Sequence, residues 1–437
     1  MNPIKKYLLA ACLSAALCLP AAGNGLNLNS LGSRALTMGG AFVGLADDFS
    51  AVFWNPAGAA FFESRVFGFY GVDLYPKATY QYVLPTLIGD VTLVDAKSRS
   101  AHYLGGLAAY YHPVSDGLVV GLGVYTPSGL GSKWNGGDFS ILTLGRTYEW
   151  SSQIGVVSIS PLVSYRISEK ISVGAAVNIN SGIFNAAMHA GQAEIPVPPY
   201  LFDLGQYDES MSGWGYGATL GFLFKPAETL SFGLTLRTAS KVRFTGEAMI
   251  SHLGLLGFST TSEAERDITF PLWIAAGAAF RPVPKLLLTG DVQFSKWSVI
   301  DEIATTYKDP LWASLLAAGG KDVMKMAWQN TTQYRFGLEY QWSPDFAVRG
   351  GYYFDPTPTP DTTMNFLIPG YDFNVITLGF GYRLGEIQLD FGLEYLKGKD
   401  RKIDVLKWLL DPEYASATPG EYTMRIWVPN VSIGYRF

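Results

Sequence analysis

The sequence predicts an all-β protein: a 14-stranded antiparallel transmembrane β-barrel with a small N-terminal hatch (plug) inside the lumen. Three observations lead to this fold class. Segments of roughly ten residues alternate apolar with small or polar side chains, which is the period of a membrane β-strand. The connections between them alternate between short turns and long loops. Apart from the first residues, no run approaches the roughly 20 apolar residues that a membrane-crossing helix needs.

Composition and charge exclude several classes of function. Charged residues make up only 16% of the 437-residue chain, and the net charge is -5 without any basic block, so no nucleic-acid partner is expected. The four histidines are scattered without metal-ligand spacing, and no Gly-x-Ser-x-Gly motif occurs. We therefore expect no enzyme activity, no cofactor and no metal site.

The first element, residues 1–23, has the pattern of a secretory signal peptide. Two lysines precede the apolar run Tyr7–Leu19, and small residues lead to a cleavage site after Gly23. A membrane anchor and a lipid attachment site at Cys12 are the alternatives. Removal of this segment also removes Cys12 and Cys18, so the mature chain has no cysteine, as suits a protein of the bacterial envelope.

The second element, residues 24–63, does not alternate like a strand. It is rich in Gly and Ala, which allow short helices to pack closely, and it also contains Phe42, Phe49, Phe53 and Trp54. A disordered periplasmic extension would have fewer aromatic residues. We therefore predict a hatch that fills the lumen.

The third element, residues 64–437, is the predicted barrel. The strands are expected near 64–74, 100–112, 117–126, 153–167, 170–184, 212–225, 229–248, 268–281, 285–297, 331–342, 345–355, 373–384, 386–397 and 422–437. Short turns follow the even-numbered strands and long loops the odd-numbered ones, so both termini should lie on the periplasmic side.

Strand faces support a membrane rather than a soluble double sheet or propeller. In 331–342, Tyr334, Phe336 and Leu338 alternate with Arg335 and Glu339, which places the charges in the lumen. The chain ends in a strand with the terminal aromatic Phe437, which resembles the signal read by the barrel assembly machinery. We therefore predict a bacterial cell outer-membrane protein.

Several segments resemble the FadL family of outer-membrane transporters for long-chain fatty acids and other hydrophobic compounds. The family's N-terminal hatch, with its Asn-Pro-Ala motif, resembles residues 33–48 and 55–57. Its barrel strands and its last loop resemble residues 213–217, 230–234, 334–340, 348–352, 368–372 and 376–379.

The resemblance implies a monomer and a passive transport function. Ligand is captured by extracellular loops, passes a movable hatch and leaves sideways into outer-membrane lipid beside the inward-kinked third strand. In this chain the hatch residues implied are Asp47, Asp48, Asn55, Pro56 and Ala57. Gly121 and Gly123 are candidates for the lateral opening, although glycine at these positions is equally explained by ordinary sheet curvature.

Two predicted extracellular loops carry apolar residues that water would reach. Such surface can bind a hydrophobic ligand, because burial contributes about 0.8 kcal/mol per methylene. The alternative is that the loops pack on one another as a rigid cap. The candidate capture residues are Ile195, Val197, Tyr200, Leu201, Phe202, Leu253, Leu255, Leu256 and Phe258.

A carboxylate head group would require a cation in the lumen, for which Arg237, Arg335 and Arg349 are the inward candidates. Inward acids could instead neutralise them as structural ion pairs. The chain also departs from the family at Gln329–Asn330 and at Gly370–Asp372, which could alter the polar end of the ligand site.

The predicted function is passive transport of long-chain fatty acids or hydrocarbons across the outer membrane. A structural or adhesion barrel with a fixed plug is the alternative, and a diffusion pore for polar solutes is the third hypothesis.

Overall fold

A computed structural model describes residues 25–194 and 201–437 and confirms the predicted fold class. The predicted signal peptide lies outside the described residues. Fourteen antiparallel barrel strands, β1 to β14, follow one another round the wall, and β1 pairs with β14, for example Phe67 with Tyr435, to close it. No helix among the described residues is long and apolar enough to cross a membrane.

Ten of the strands are continuous and four are interrupted. The bounds are β1 Val66–Thr86, β2 Gly89–Lys97 and Tyr103–Ser115, β3 Leu118–Trp134, β4 Trp150–Ser168, β5 Ile171–His189, β6 Gln206–Ala227, β7 Leu230–Arg237 and Ser240–Ile250, β8 Thr261–Phe270 and Trp273–Val283, β9 Leu286–Ser295 and Glu302–Tyr307, β10 Thr331–Ser343, β11 Phe346–Asp355, β12 Phe373–Leu384, β13 Ile387–Gly398 and β14 Gly420–Arg436.

Helices and short extra strands lie in the hatch and in the loops. The helices are α1 Ser33–Thr37, α2 Ala51–Trp54, α3 Pro310–Ala318 and α4 Val405–Leu410, with 3-10 turns at Pro56–Phe61, Gly136–Thr143, Leu253–Leu256, Trp297–Val299, Asp361–Thr363 and Pro412–Tyr414; the short strands are Gln192–Glu194, Leu201–Asp203, Val323–Lys325 and Arg401–Ile403.

The two ends of the barrel differ as the sequence predicts. Two-residue turns at 116–117, 169–170, 228–229, 284–285, 344–345 and 385–386 join strands at one end. At the other end the connections are long loops, except that β1 and β2 extend into a hairpin that turns at 87–88. The outer face of β10 exposes Tyr334, Phe336 and Leu338, whereas Arg335 and Glu339 are buried in the lumen. This arrangement is that of an outer-membrane barrel with its turns in the periplasm.

Two rings of aromatic side chains encircle the outer face. The ring near the long loops contains Tyr75, Trp214, Tyr216, Tyr334, Tyr352, Tyr395 and Trp427, and the ring near the short turns contains Tyr110, Tyr165, Tyr340, Trp342, Tyr382 and Tyr435. Aromatic girdles mark the two membrane–water interfaces of such barrels. The apolar wall between them is therefore the part that crosses the membrane.

Residues 25–63 lie inside the barrel and contact its wall on many sides. Ser231 on β7 donates a hydrogen bond to the carbonyl of Gly44 (2.6 Å), and Thr377 on β12 donates to the carbonyl of Thr37 (3.0 Å). Gly233 allows this close approach, because a Cβ there would lie 2.0 Å from the carbonyl oxygen of Val43. Backbone carbonyls of the hatch are thus satisfied by hydroxyls of the wall.

Strand β3 leaves its neighbour β2 after Tyr125. The ladder between them runs from Leu118 to Tyr125, and the pairing of β3 with β4 shifts register before Ser128. Beyond the shift, β3 pairs with the start of the hatch: the amide of Leu28 donates to the carbonyl of Pro127 (2.9 Å). Between Tyr125 and Lys133, β3 therefore leaves β2 and bends towards the hatch, which leaves a gap in the wall. The gap ends where the amide of Arg99 donates to the carbonyl of Lys133 (2.8 Å) and Ser98 pairs with Trp134.

Candidate functional site

The Asn-Pro-Ala segment is held against the wall at several points. Asn55 donates from Nδ2 to the carbonyls of Val43 and Phe222 (3.0 Å each), and its Oδ1 accepts from the amide of Ala57 (3.1 Å). Ser164 donates to the carbonyl of Pro56 (2.6 Å). The asparagine side chain therefore both caps the 3-10 turn that follows and joins two parts of the hatch to β6.

An ion network ties the hatch to the opposite side of the wall. Arg34 of α1 pairs with Asp47 (2.5 Å) and with Glu339 on β10 (2.8 Å). Glu339 also pairs with Arg349 on β11 (2.7 Å), which in turn pairs with Asp390 on β13 (2.6 Å). The chain of charges alternates in sign, so each charge is compensated.

Asp48 lies beside this network at the periplasmic end of the hatch. Its Oδ1 accepts hydrogen bonds from the amide (2.8 Å) and the hydroxyl (2.6 Å) of Ser50. Burial outweighs the nearby Arg34 and raises the pKa of Asp48 to about 6. A polar cavity of about 530 Å³ opens beneath this carboxyl group towards the periplasm.

Two of the three cations predicted to contact a ligand head group are bonded to other residues of the protein. Arg349 is neutralised by Glu339 and Asp390, which is the ion-pair alternative. Arg335 is 1% exposed, donates to the carbonyl of Gly39 (3.0 Å) and to Gln333 (2.8 Å), and lies 4.1 Å from the centre of the Tyr353 ring. Arg335 therefore joins the hatch to the wall, whereas Arg349 joins three strands of the wall.

Arg237 on β7 is different. Arg335 has no ion-pair partner among the described residues either, but it interacts electrostatically with Asp291, Asp355 and Glu394, whereas no described carboxylate acts on Arg237. It donates to the carbonyl of Phe53 (2.7 Å) and lies between the rings of Phe53 (4.5 Å) and Trp273 (4.9 Å), while its buried Nε has no partner. Among residues 25–194 and 201–437, no carboxylate pairs with it. It lines a cavity of about 40 Å³ that also touches Pro127 and Ser128 of the bent strand β3.

A second cavity, of about 60 Å³, lies nearer the extracellular mouth. Arg266 and Glu209 form a buried ion pair in it (2.6 Å), and the apolar lining comes from Phe184, Ile250, Ile303, Leu316 and Met324. Sequence reasoning missed Arg266, because residues 249–267 read as a loop. Positions 262, 264, 266 and 268 are buried in the structure, but they hold Ser, Ala, Arg and Ile, so the sequence offered no apolar alternation that could have found Arg266.

The predicted capture residues fall into three groups. Ile195, Val197 and Tyr200 lie outside the described residues. Leu253 is 1% exposed and Phe202 and Leu256 are half-buried, so these three pack inward. Leu201, Leu255 and Phe258 are exposed, at 53%, 75% and 43%. The described part of the two loops thus provides both an apolar cap and an apolar surface open to water.

The loop before β6 is fixed by Asp203. Its carboxylate accepts from the hydroxyl of Tyr148 (2.5 Å) and pairs with Arg146 (2.7 Å) and His189 (2.8 Å). Burial works against ionisation, yet the hydrogen bonds from Tyr148 and His189 outweigh it and lower the pKa of Asp203 to about 2. These contacts therefore fix the loop next to the cavity of about 60 Å³ near the extracellular mouth (the mouth cavity), and His189 is one of the residues that line it.

The glycines predicted at the lateral opening lie below the bend. Gly121 and Gly123 pair regularly with Tyr111 and Ala109 of β2. A Cβ on Gly123 would lie 2.8 Å from the side chain of Val52 in α2, so this glycine lets the hatch pack against the wall. The irregularity itself is at Thr126–Pro127, where proline cannot donate to the ladder.

A buried aromatic cluster covers the mouth above the bend. Phe366 contacts Tyr80, Phe139 and Trp134 with ring centres 5.0, 4.9 and 6.0 Å apart. The indole of Trp134 donates to the carbonyl of Phe366 (3.0 Å), which attaches the loop before β12 to β3. This cluster closes the extracellular side of the lumen.

The family described as outer membrane protein transport protein (OMPP1/FadL/TodX) matches residues 12–437. The chain belongs to this family. A long-chain fatty acid transport protein of Salmonella typhi is 24% identical over 411 residues, 87% of this chain and 89% of the relative. The protein of the same name from Escherichia coli K12 is 21% identical over 432 residues, with the same coverage.

Solved barrels of the FadL/TodX family have the same fold. A Pseudomonas aeruginosa FadL homologue superposes with a TM-score of 0.74 at 17% identity, over 94% of this chain and all of that one. The Pseudomonas putida toluene transporter TodX superposes with a TM-score of 0.68 at 16% identity, over 95% and 100%. The chain is therefore an outer-membrane protein of the FadL family, which confirms the resemblance and the predicted location.

Proposed function

We propose that this FadL-family barrel transports long-chain fatty acids passively across the outer membrane. The family match over nearly the whole chain supports transport of hydrophobic compounds, and the apolar loops support their capture. The observation that favours an acid over a plain hydrocarbon is Arg237. A cation without a carboxylate partner beside an apolar ring pair is suited to a ligand with one anionic end.

The proposed path begins at Leu201, Leu255 and Phe258 and continues through the mouth cavity to Arg237. Both cavities are small, about 60 and 40 Å³, whereas a cavity that holds benzene measures about 150 Å³. The lining must therefore move before a ligand enters. The hatch helix α2 lies against both Arg237 and β3, so its displacement would open the cavity towards the gap between β2 and β3.

The remaining proposals concern partners. The barrel closes on itself in one chain, which supports a monomer. Phe437 is 62% exposed, and its amide donates to the carbonyl of Arg65 (3.0 Å), so the terminal aromatic is open to the assembly machinery. No catalytic step is part of the proposal.

The test is displacement of a fluorescent apolar probe from purified protein by a fatty acid and by an alkane of equal length. We expect the acid to bind about tenfold more tightly, about 1.4 kcal/mol, and Arg237→Gln to abolish that preference. Arg243→Gln, on the outer face and paired with Glu265, is the matched control and should keep it. Equal displacement by acid and alkane in the unchanged protein would favour a hydrocarbon ligand. Displacement by neither would contradict transport and favour a structural barrel.

A further inference from the structure

Three cations form a row on the outer face of the barrel. Lys77 on β1 lies directly opposite Arg425 on β14, and Arg425 lies directly opposite Lys397 on β13. All three side chains are exposed. Because neighbouring strands are about 4.8 Å apart, this basic row spans only about 10 Å. Lys97, opposite Thr79, adds a fourth cation one step further towards the loops.

The basic row has no counter-charge of its own. In the part of the chain that the structure describes, none of its three members pairs with a carboxylate. The nearest acids on the same face of these strands, Asp73 and Glu421, are each four residues along the strand and are paired with His102 and Lys402.

Two cations on the outer face of β7 and β8 are compensated, unlike the row. On β7 and β8, Lys241 pairs with Asp267 (2.5 Å) and Arg243 pairs with Glu265 (2.6 Å). Like charges directly opposite on neighbouring strands are destabilising. A row of three adjacent cations in a chain of net charge -5 therefore calls for an anion from outside the protein.

The depth of the row identifies where that anion comes from. The next outward positions on the same three strands, towards the membrane, are Tyr75, Trp427 and Tyr395 in register. The rings of Tyr395 and Trp427 are 4.4 Å apart. Aromatic residues mark the membrane–water interface, so the row lies at headgroup level on the side of the long loops, which is the outer leaflet.

We propose that the basic row binds the phosphorylated headgroup of an outer-leaflet lipid. The Arg425 guanidinium offers a bidentate contact to phosphate, and the two flanking ammonium groups add point charges. Below the aromatic row, Leu393, Val431 and Ile433 expose an apolar surface against which the acyl chains pack. The site lies outside the lumen, so the inference does not depend on the proposed transport function.

The test is titration of the delipidated full-length protein in detergent with a diphosphorylated outer-membrane glycolipid, followed by native mass spectrometry. We expect the combined variant Lys77→Gln, Lys397→Gln and Arg425→Gln to bind at least about tenfold more weakly than the unchanged protein. The charge-conserving variant Lys77→Arg, Lys397→Arg and Arg425→Lys should retain binding, which separates loss of charge from loss of fold. The control variant Lys241→Gln and Arg243→Gln should also retain it.

Two further arms distinguish the source of the anion. The dephosphorylated glycolipid should bind as weakly to the unchanged protein as the phosphorylated lipid binds to the glutamine variant. Excess inorganic phosphate should fail to displace the lipid, because it lacks the acyl chains. Equal affinity of the unchanged protein and the glutamine variant would overturn the proposal. Equal loss in the control variant, or full displacement by inorganic phosphate, would also overturn it.

Discussion

At the scale of single residues, the charges in the lumen divide by whether they are compensated. Arg34, Arg266 and Arg349 each pair with a carboxylate, whereas Arg237 has only a carbonyl and two rings. A buried ion pair adds little to the stability of the folded protein. A buried charge without a partner destabilises the folded protein unless a counter-charge binds to it. This difference is why Arg237 is proposed to meet the ligand.

Glu209→Gln leaves Arg266 as a buried cation without a counter-charge. We expect the free energy of unfolding to fall by about 3 kcal/mol, as is typical when one partner of a buried pair is removed. Denaturant titration in detergent micelles measures the change. The control Glu265→Gln breaks the surface pairs with Arg243 and Lys308 and should lower the free energy of unfolding far less. A Glu209→Gln effect no larger than the control would contradict the account.

Asp48→Asn removes a carboxyl group whose pKa the fold raises from 3.8 to about 6. Because the folded state binds this proton more tightly, Asp48 makes the folded state less stable as pH rises from about 4 to about 6, and the loss is constant above that. The measurement is the unfolding midpoint of the unchanged protein and of Asp48→Asn at pH 4, 5, 6 and 7. The midpoint of the unchanged protein should fall relative to that of the variant as the pH rises from 4 to 6. A constant difference between the two proteins would contradict the raised pKa.

The sequence identified Arg237 as an inward-facing cation, but it did not show that this cation lacks a carboxylate partner. Alternation along β7 places this residue inward, but it cannot show which acids lie within reach, because ion-pair partners come from other strands, as Glu339 and Asp390 do for Arg349. Arg266 was missed for a local reason. It lies in the half of β8 that extends beyond the membrane, where the outward residues are polar and charged and the strand does not alternate apolar with polar.

At the scale of elements, the strands within the membrane were predictable and their extensions were not. The predicted first strand ends at residue 74, but β1 continues to Thr86 and forms a hairpin with Gly89–Lys97. Outside the lipid, the outward face of a strand loses its apolar requirement, so the two-residue pattern fades although the hydrogen-bond ladder continues. Gly121 and Gly123 were candidates for a kink in β3, with ordinary sheet curvature as the equal alternative. Both glycines pair regularly with β2, and the register shift lies at Thr126–Pro127.

The prediction at the scale of elements concerns the loop before β12. Phe366→Ala removes the ring that touches Tyr80, Trp134 and Phe139, and a buried Phe→Ala change typically costs about 3–5 kcal/mol. We expect faster hydrogen exchange in residues 361–368 with unchanged exchange in β10. The control Leu144→Ala alters a 77% exposed side chain and should change neither. Unchanged exchange in the loop of Phe366→Ala would show that the cluster does not close the mouth.

At the scale of the whole molecule, a closed 14-strand wall surrounds a hatch that touches it on many sides. The chain order of hatch, then strands, and the alternation of turn lengths were enough to predict this architecture. The sequence could not show that α1 is tied to β10 by an ion pair, whereas α2 is held by hydrogen bonds with Tyr111, Thr235 and Arg237 and by no ion pair among the described residues. The asymmetry suggests that α2 is the part of the hatch that moves.

The central claim, passage past a moving hatch, is tested most directly by uptake through a barrel whose hatch is cross-linked to the wall. The ideal Cβ of residue 123 lies 3.2 Å from the Cβ of Val52, a few tenths of an ångström less than the roughly 3.5–4.5 Å of a disulfide, so a small shift of α2 allows the bond. Both natural cysteines lie in the predicted signal peptide. The measurement is uptake of a labelled long-chain fatty acid by cells producing the Val52→Cys and Gly123→Cys double variant, with each single variant as a control. The account predicts that oxidation reduces uptake to the background level and that reduction restores it, while the single variants are insensitive. Undiminished uptake by the oxidised double variant would contradict it.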